Sequence, residues 1–271
     1  MDYMKYIRKN NLPLIWCPGC GDGIVLKAIL RAIDRIGLSQ DEICMVSGIG
    51  CSSRLTGYVD FNTLHTTHGR AIAFATGIKM AKPELHVIVI TGDGDATAIG
   101  GNHYIHAARR NIDLTVVLFN NNIYGMTGGQ VSPTTPIGAR ASTAPYGNPE
   151  NSFNISGLAE AAGASFVARG TVYDALQLDK YIEKAILKKG FSVVEALTPC
   201  PTAFGRRNKI GNGPAMMKLL KEQSVSVNKA KKLSEEELKD KIITGILVDR
   251  ELPEYTENYN MLIERVGGSK S

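Results

Sequence analysis

The sequence predicts an α/β fold in which a doubly wound, mostly parallel sheet is followed by a C-terminal helical extension. Two buried-strand runs, LHVIVIT at 85–91 and LTVVLF at 114–119, flank a segment with helical spacing at 97–110. A strand, a helix and a second strand in this order form a βαβ unit with parallel strands. Further strands and helices alternate with them until about residue 203, which completes the doubly wound pattern.

The other predicted elements follow the same reasoning. An amphipathic helix at 22–36 has Gly37 as its C-terminal stop. A capping box formed by Ser234 and Glu237 predicts a helix through about Val248. The remaining predictions are a strand at 43–47, a helix of small and apolar residues at 71–80, a short helix at 158–162, a strand at 165–168, a helix at 171–188 opened by a Thr171/Asp174 cap, and a strand at 191–197.

Composition limits the class of protein. The chain has 271 residues, of which 44% are hydrophobic and 21% charged, an ordinary globular composition. No run approaches the roughly 20 apolar residues that cross a bilayer, and the first residues, MDYMKYIRKNNLPLIW, lack the apolar core of a signal peptide. We therefore expect a cytoplasmic protein, whose five cysteines have metal, catalytic or core roles and form no disulfide framework.

The net charge of +5 comes from one segment. Residues 206–232 contain eight Lys or Arg and a single acid, Glu222. The segment has neither the interleaved aromatics nor a recognisable module of a nucleic-acid footprint, so we expect no nucleic-acid partner. It is either a solvated face or a docking surface for an acidic partner.

Polar residues follow both strands of the first βαβ unit. Asp93 lies in a Gly-Asp-Gly turn after one strand, and Asn120–Asn122 follow the other. Both groups are expected at the carboxyl edge of the sheet, where open α/β folds bind ligands. Carboxylate, amide and backbone oxygens suit a hard cation, and Mg²⁺ that carries a diphosphate fits. The alternatives are an ordinary turn with an Asn-rich loop, and a Rossmann nucleotide loop, which the Ser53 in place of a third glycine disfavours.

Four cysteines are predicted at loops near this edge. Cys17 and Cys20 share a tight Pro-Gly turn, which suits a thioredoxin-like redox pair, half of a zinc site or half of an iron–sulfur site. Cys51 and Cys200 each follow a strand, so that four thiolates could bind Zn²⁺ or a [4Fe–4S] cluster. We interpret Cys44, inside a strand, as a small buried hydrophobic residue.

Six motifs together resemble the β subunit of the 2-oxoacid:ferredoxin oxidoreductases, and within that group most resemble the 2-oxoglutarate members. They occur in the family's order between about Leu12 and Asn208, and are WCPGCG, SGIGCSSR, LHTTHGRA, GDGD, NNNIYGMTGGQ and TPCPTAFGRRN. The resemblance implies the thiamine diphosphate-binding type of the predicted fold. It also implies a domain for thiamine diphosphate and an iron–sulfur cluster at 1–205, and an extension at 206–271 that contacts other subunits.

The resemblance also implies a set of site residues. Asp93, the Asn121 side chain and the Ile123 carbonyl would hold Mg²⁺. One [4Fe–4S] cluster would be bound by Cys17, Cys20, Cys51 and Cys200. Next to thiamine diphosphate a cluster can serve as an electron acceptor, whereas a structural zinc would add nothing to the reaction. His68 and Arg54 are the candidate catalytic residues. The residues expected to contact the thiamine cofactor are Gly48, Ile49, Cys51, Ser52, His68, Gly92, Asp93, Gly94, Asp95, Asn121, Tyr124, Gly125 and Thr127.

The implied reaction is oxidative decarboxylation of a 2-oxoacid with coenzyme A, giving an acyl-CoA and reduced ferredoxin. Its partners would be an α subunit that carries the pyrimidine-binding domain, ferredoxin and, in addition, small ferredoxin-like subunits. The best candidate substrate is 2-oxoglutarate, whose distal carboxylate Arg54 or Arg140 could bind if the α subunit does not. Pyruvate, branched-chain 2-oxoacids and a non-catalytic, zinc-stabilised structural subunit are the alternatives.

Overall fold

The computed structural model describes residues 1–267, which form one eight-stranded sheet with helices on both faces. The strands are β1 Ile43–Ser47, β2 Asn62–His65, β3 His86–Gly92, β4 Thr115–Asn120, β5 Phe166–Thr171, β6 Ser192–Leu197, β7 Ser224–Ser226 and β8 Ile242–Asp249. The helices are α1 Asp22–Ile36, α2 Ala71–Ala81, α3 Gly101–Arg110, α4 Ile155–Ala162, α5 Ala175–Leu187, α6 Gly213–Gln223, α7 Val227–Ala230, α8 Glu235–Leu238 and α9 Tyr255–Gly267.

The sheet has the order β2-β1-β3-β4-β6-β5-β8-β7. All neighbouring strands are parallel except β5 and β8, which pair antiparallel. The predicted βαβ unit is confirmed, since β3 and β4 pair in parallel, with Gly92 opposite Phe119. The turn after Gly92 and the Asn run after Phe119 are therefore neighbours at the carboxyl edge.

Alternate residues of the central strands face two separate apolar layers. Ile88 and Ile90 of β3 pack in the layer that contains α1 and α5. Val87 and Val89 pack in the layer that contains α2, α3 and α4. This period of two, with both faces buried, confirms the predicted doubly wound, mostly parallel fold.

The predicted helix through Val248 is wrong. The capping box at Ser234 does form, but α8 ends at Leu238, and Asp240 takes a left-handed φ of 65°. The next residues, IITGILVD, are rich in β-branched side chains, and they form β8 against β5. The extension is thus not purely helical, and it completes the sheet. The division at residue 205 remains a prediction.

Two local differences from the predicted elements concern segments near the carboxyl edge of the sheet. The helix predicted from residue 97 begins with a π-helical turn at Asp95–Ile99, and its regular part starts at Gly101. Strand β2, which precedes His68, was not predicted, because Asn62–His65 is an exposed edge strand without an apolar pattern.

Within residues 1–267, no helix is long and apolar enough to cross a membrane.

Candidate active site

A cavity of about 160 Å³ opens at the carboxyl edge of β1, β3 and β4. Twelve of the thirteen residues predicted to contact the thiamine cofactor line this cavity, and so does the predicted Mg²⁺ ligand Ile123. The twelve are Ile49, Cys51, Ser52, His68, Gly92, Asp93, Gly94, Asp95, Asn121, Tyr124, Gly125 and Thr127. Gly50, Phe119 and Met126 complete the lining and were not predicted. The structure therefore brings together residues from four separate motifs.

Asp93 is one of two buried acids of this cavity, together with Asp95. Asp93 is 3% exposed, and its Oδ2 atom accepts hydrogen bonds from Ser132 Oγ at 2.6 Å and from Thr134 Oγ1 at 2.5 Å. Burial raises the pKa of the Asp93 carboxyl, whereas the two hydroxyl hydrogen bonds lower it. Because both hydroxyls engage Oδ2, Oδ1 is the oxygen that keeps the capacity to bind a cation.

The Thr134 hydroxyl has a second polar contact, with the side chain of Asn120. Thr134 Oγ1 lies 2.9 Å from Asn120 Oδ1, and the Asn120 amide donates to Glu195 Oε1 at 2.9 Å. Glu195 is itself paired with Arg169 at 2.8 Å. The sequence pattern gave no signal for Ser132 or Thr134, since they lie in a long loop without periodicity.

The loop after Asn120 turns sharply at the cavity. Asn122 adopts a left-handed φ of 61°, a conformation that asparagine tolerates better than most residues. Asn121 Oδ1 accepts from the Ile123 amide at 3.2 Å, and Tyr124 Oη donates to the Gly94 carbonyl at 3.2 Å. A Cβ at Gly94 would collide with the Tyr124 ring, so glycine is required where the two loops meet.

Asp95 organises the opposite wall. Its Oδ1 accepts from the backbone amides of Ile49 at 3.1 Å and Gly69 at 2.7 Å, and lies 2.6 Å from His68 Nδ1. This carboxylate contact favours the proton on Nδ1 and leaves Nε2 as the free nitrogen of His68. Asp95 thus holds His68 in a fixed orientation at the cavity, with the His68 side chain 37% exposed.

Three residues predicted for the thiamine or substrate site are not among those that line the cavity. A side chain at Gly48 would collide with the Asp95 carboxylate, so this glycine permits a close approach and lies behind the wall. Arg54 is exposed on the 3₁₀ helix after Cys51, and Arg140 is exposed on the long loop. The predicted catalytic role of Arg54 remains a prediction.

The loops that carry the four predicted cysteines meet beside this cavity. A Cβ at Gly125, in the cavity wall, would lie 3.5 Å from both Cys51 Sγ and Cys200 Sγ. Trp16 Nε1 donates to the Cys51 carbonyl at 2.8 Å, which ties the Cys17–Cys20 turn to the Cys51 loop. Cys44 is buried in β1 at 7% exposure, as predicted.

Burial raises the thiol pKa values of three of these cysteines, Cys20, Cys51 and Cys200. Burial, followed by the charges of Asp22 and Cys200, raises the pKa of Cys51 to about 12. Burial and then Asp22 raise the pKa of Cys20, and burial raises that of Cys200 against two backbone hydrogen bonds. These thiols are therefore protonated at neutral pH without a metal, and a metal that binds them must displace the protons.

Within residues 1–267, no group of three or more His, Cys, Asp or Glu side chains is arranged to hold a single metal ion.

Comparisons with known proteins show the family of this chain. The family model described as "Thiamine pyrophosphate enzyme, C-terminal TPP binding domain" matches residues 48–196. The chain is 56% identical over 264 residues to the 2-oxoglutarate synthase subunit KorB of Methanocaldococcus jannaschii. The matched residues cover 97% of each chain. It is 54% identical over 266 residues to the corresponding subunit of Methanothermobacter marburgensis, with coverage of 98% of this chain and 93% of that one.

A solved structure extends the likeness to the whole fold. The 2-oxoglutarate:ferredoxin oxidoreductase from Magnetococcus marinus, solved with 2-oxoglutarate, coenzyme A and succinyl-CoA bound, superposes with a TM-score of 0.89 at 34% identity. The match covers 100% of this chain and 92% of that chain. The chain therefore belongs to the thiamine pyrophosphate-binding β subunits of the 2-oxoacid:ferredoxin oxidoreductases, among the 2-oxoglutarate members of that family.

Proposed function

We propose that this β subunit, paired with an α subunit, oxidatively decarboxylates 2-oxoglutarate to succinyl-CoA and passes the electrons to ferredoxin. One observation carries the proposal. Gly125 lines the cavity that contains Asp93 and also lies against the sulfurs of Cys51 and Cys200. A thiamine site and a thiolate site that share one stretch of backbone suit a reaction whose electrons leave through a cluster.

The donor set at Asp93 fits Mg²⁺ and a diphosphate. Asp93 Oδ1, the Asn121 amide oxygen and the Ile123 carbonyl are hard oxygen ligands, and all three residues line one cavity. Ser132 and Thr134 hold the Asp93 carboxylate in place, as supporting hydrogen bonds do around metal ligands. Bound there, thiamine diphosphate would supply the electron sink that decarboxylation requires.

His68 is the candidate for handling a proton next to the cofactor. With Nδ1 directed to Asp95, its Nε2 can accept or donate one proton at the cavity without movement of the ring. The apolar side chains of Ile49, Phe119 and Met126 line the same space. The chain's own contribution is thus orientation, proton handling and a partly apolar site.

Cys17, Cys20, Cys51 and Cys200 are the proposed ligands of a [4Fe–4S] cluster. Thiolate sulfur is the donor type of such clusters, and the ligands would come from loops that contact one another. All five cysteines are free, which is consistent with the reducing cytoplasm where we propose that the protein acts.

The α subunit completes the proposed enzyme. The relatives are named as subunits and the family model is that of a C-terminal TPP binding domain, which supports an α partner as the source of the pyrimidine-binding half. Since Arg54 and Arg140 are exposed and absent from the cavity wall, we propose that they or the α subunit bind the distal carboxylate after assembly. Small ferredoxin-like subunits are a further part of the proposed complex.

The substrate assignment is tested by a panel of 2-oxoacids. The β chain, purified anaerobically with its α subunit, should convert 2-oxoglutarate with CoA and ferredoxin to succinyl-CoA, with a kcat/KM at least about tenfold above those for pyruvate and 2-oxoisovalerate. A tenfold preference needs about 1.4 kcal/mol of differential binding, which one charged contact to the distal carboxylate supplies. A higher kcat/KM for either of the other acids would overturn the substrate, and zinc in place of iron would overturn the redox role.

A further inference from the structure

The basic segment 206–232 has no role in the function described so far. Three of its eight cations already have contacts within the chain. Lys218 pairs with Glu222 at 3.8 Å, Lys221 lies 5.2 Å from the centre of the Tyr173 ring, and Arg207 donates to the Gly128 carbonyl at 3.2 Å. The remaining cations divide into two groups: Arg206 and Lys209 in one, and Lys229, Lys231 and Lys232 on and after α7 in the other.

Arg206 and Lys209 line an open cleft whose wall includes the cysteine loops. Pro18, which lies between Cys17 and Cys20, and Pro201, which follows Cys200, form part of the same cleft. A Cβ at Gly19 would lie 3.4 Å from Pro201 and 3.1 Å from the Gly213 Cα, so the two loops pack directly against each other. Cys17 is the exposed member of the four cysteines.

The charge of this cleft is uncompensated. No acidic residue lines it, and among residues 1–267 neither Arg206 nor Lys209 forms an ion pair or a side-chain hydrogen bond. Lys209 adopts a left-handed φ of 55°, which is uncommon for a residue with a long side chain. Two cations without an ion pair therefore line a cleft that also contains Pro18 and Pro201, the chain neighbours of Cys17 and Cys200.

On the basis of the proposed function, we propose that this cleft, with Arg206 and Lys209 on its rim, is the docking surface for an acidic one-electron carrier protein. Electron transfer weakens steeply with distance, so a carrier must approach the cysteine loops, and the Pro18–Pro201 wall is a short path. In each transfer the subunit's cluster is oxidised by one electron and the carrier is reduced by one, with no bond made or broken. Positive rim charges attract an acidic partner and accelerate its encounter.

The test compares two charge-matched double variants of the complete α–β enzyme. Arg206→Gln/Lys209→Gln removes the cleft charges, and Lys231→Gln/Lys232→Gln removes two charges from the same basic segment next to α7. An acidic [4Fe–4S] ferredoxin and methyl viologen serve as alternative acceptors at about 50 mM salt. We expect the KM for ferredoxin to rise about tenfold in the cleft variant and less than about twofold in the control, because rim charges act chiefly on the rate of association.

Methyl viologen separates this proposal from the function on which it rests. Its small cationic molecules need no docking surface, so its reduction should be unchanged in both variants, and the KM for ferredoxin of the unmodified enzyme should rise with salt. No 2-oxoacid-dependent viologen reduction in the unmodified enzyme would overturn the proposed function itself. With viologen activity intact, an unchanged KM for ferredoxin in the cleft variant, an equal rise in the control, or a rise in the KM for CoA instead would each overturn the docking surface.

Discussion

Replacing Cys51 by serine is expected to remove most of the iron from the subunit and to abolish ferredoxin reduction. A serine hydroxyl is a far poorer iron ligand than a thiolate, and the loss of one of four ligands opens an iron to solvent. Release of CO₂ from the 2-oxoacid should continue slowly, or for one turnover, because the electron sink for that step is the thiamine ring. The measurements are iron and sulfide content, ferredoxin reduction, and CO₂ release from labelled substrate by the α–β complex.

Cys44→Ser is the matched control for this change. Cys44 is buried in β1 on the face that packs against α2, away from the Gly125 backbone where Cys51 and Cys200 meet. The Cys44 variant should keep its iron and its ferredoxin activity, with some loss of thermal stability from a buried hydroxyl. Normal iron and full ferredoxin reduction in Cys51→Ser would exclude Cys51 as a ligand. The same pattern would also fit a simple Cys17–Cys20 dithiol, which needs only two sulfurs.

Replacing Asp93 by alanine is expected to abolish thiamine diphosphate binding and to leave the absorption of the cluster unchanged. The change removes the carboxylate of the proposed Mg²⁺ site and with it the hydrogen bonds that Ser132 and Thr134 donate to Asp93 Oδ2. No thiolate is altered. Calorimetry with thiamine diphosphate and Mg²⁺ gives the affinity, and the visible spectrum gives the cluster content.

Changes at Thr134 test the same site in smaller steps. Thr134→Val keeps the shape of the side chain but removes one hydrogen bond to Asp93, and loss of such a supporting contact typically costs 10- to 100-fold in metal affinity. Thr134→Ser keeps the hydroxyl and should restore most of the affinity. Tight cofactor binding by Asp93→Ala would show that the metal site lies elsewhere. Equal affinities of Thr134→Val and Thr134→Ser would exclude a role for the Thr134 hydroxyl.

The sequence was most informative where one physical pattern acts alone. Helix α1 begins at Asp22 and ends at Ile36 as predicted, because an apolar stripe and a C-terminal Gly37 in the left-handed conformation define it completely. Strand β1 and the Asp93 and Asn121 turns were likewise predictable, since buried β-branched runs end where those turns begin.

Predictions from local sequence were wrong or missing where contacts between distant residues determine the structure. The capping box at Ser234 marks the start of α8, but its end depends on the pairing of β8 with β5, which local sequence does not encode. The hydroxyls of Ser132 and Thr134 reach Asp93 from 39 and 41 residues away through an irregular loop. The position of Gly48 behind Asp95, and of Arg54 outside the cavity, also depends on how loops pack.

We propose that this subunit binds both the thiamine cofactor and an iron–sulfur cluster, and the metal and cofactor content of the purified α–β complex can be measured to test this. Anaerobic purification without any ferredoxin-like subunit excludes other sources of iron. We expect about four iron, about four sulfide and about one thiamine diphosphate for each β chain, the content that one [4Fe–4S] cluster and one cofactor define. Zinc in place of iron, or an iron-containing chain that binds no thiamine diphosphate, would contradict it.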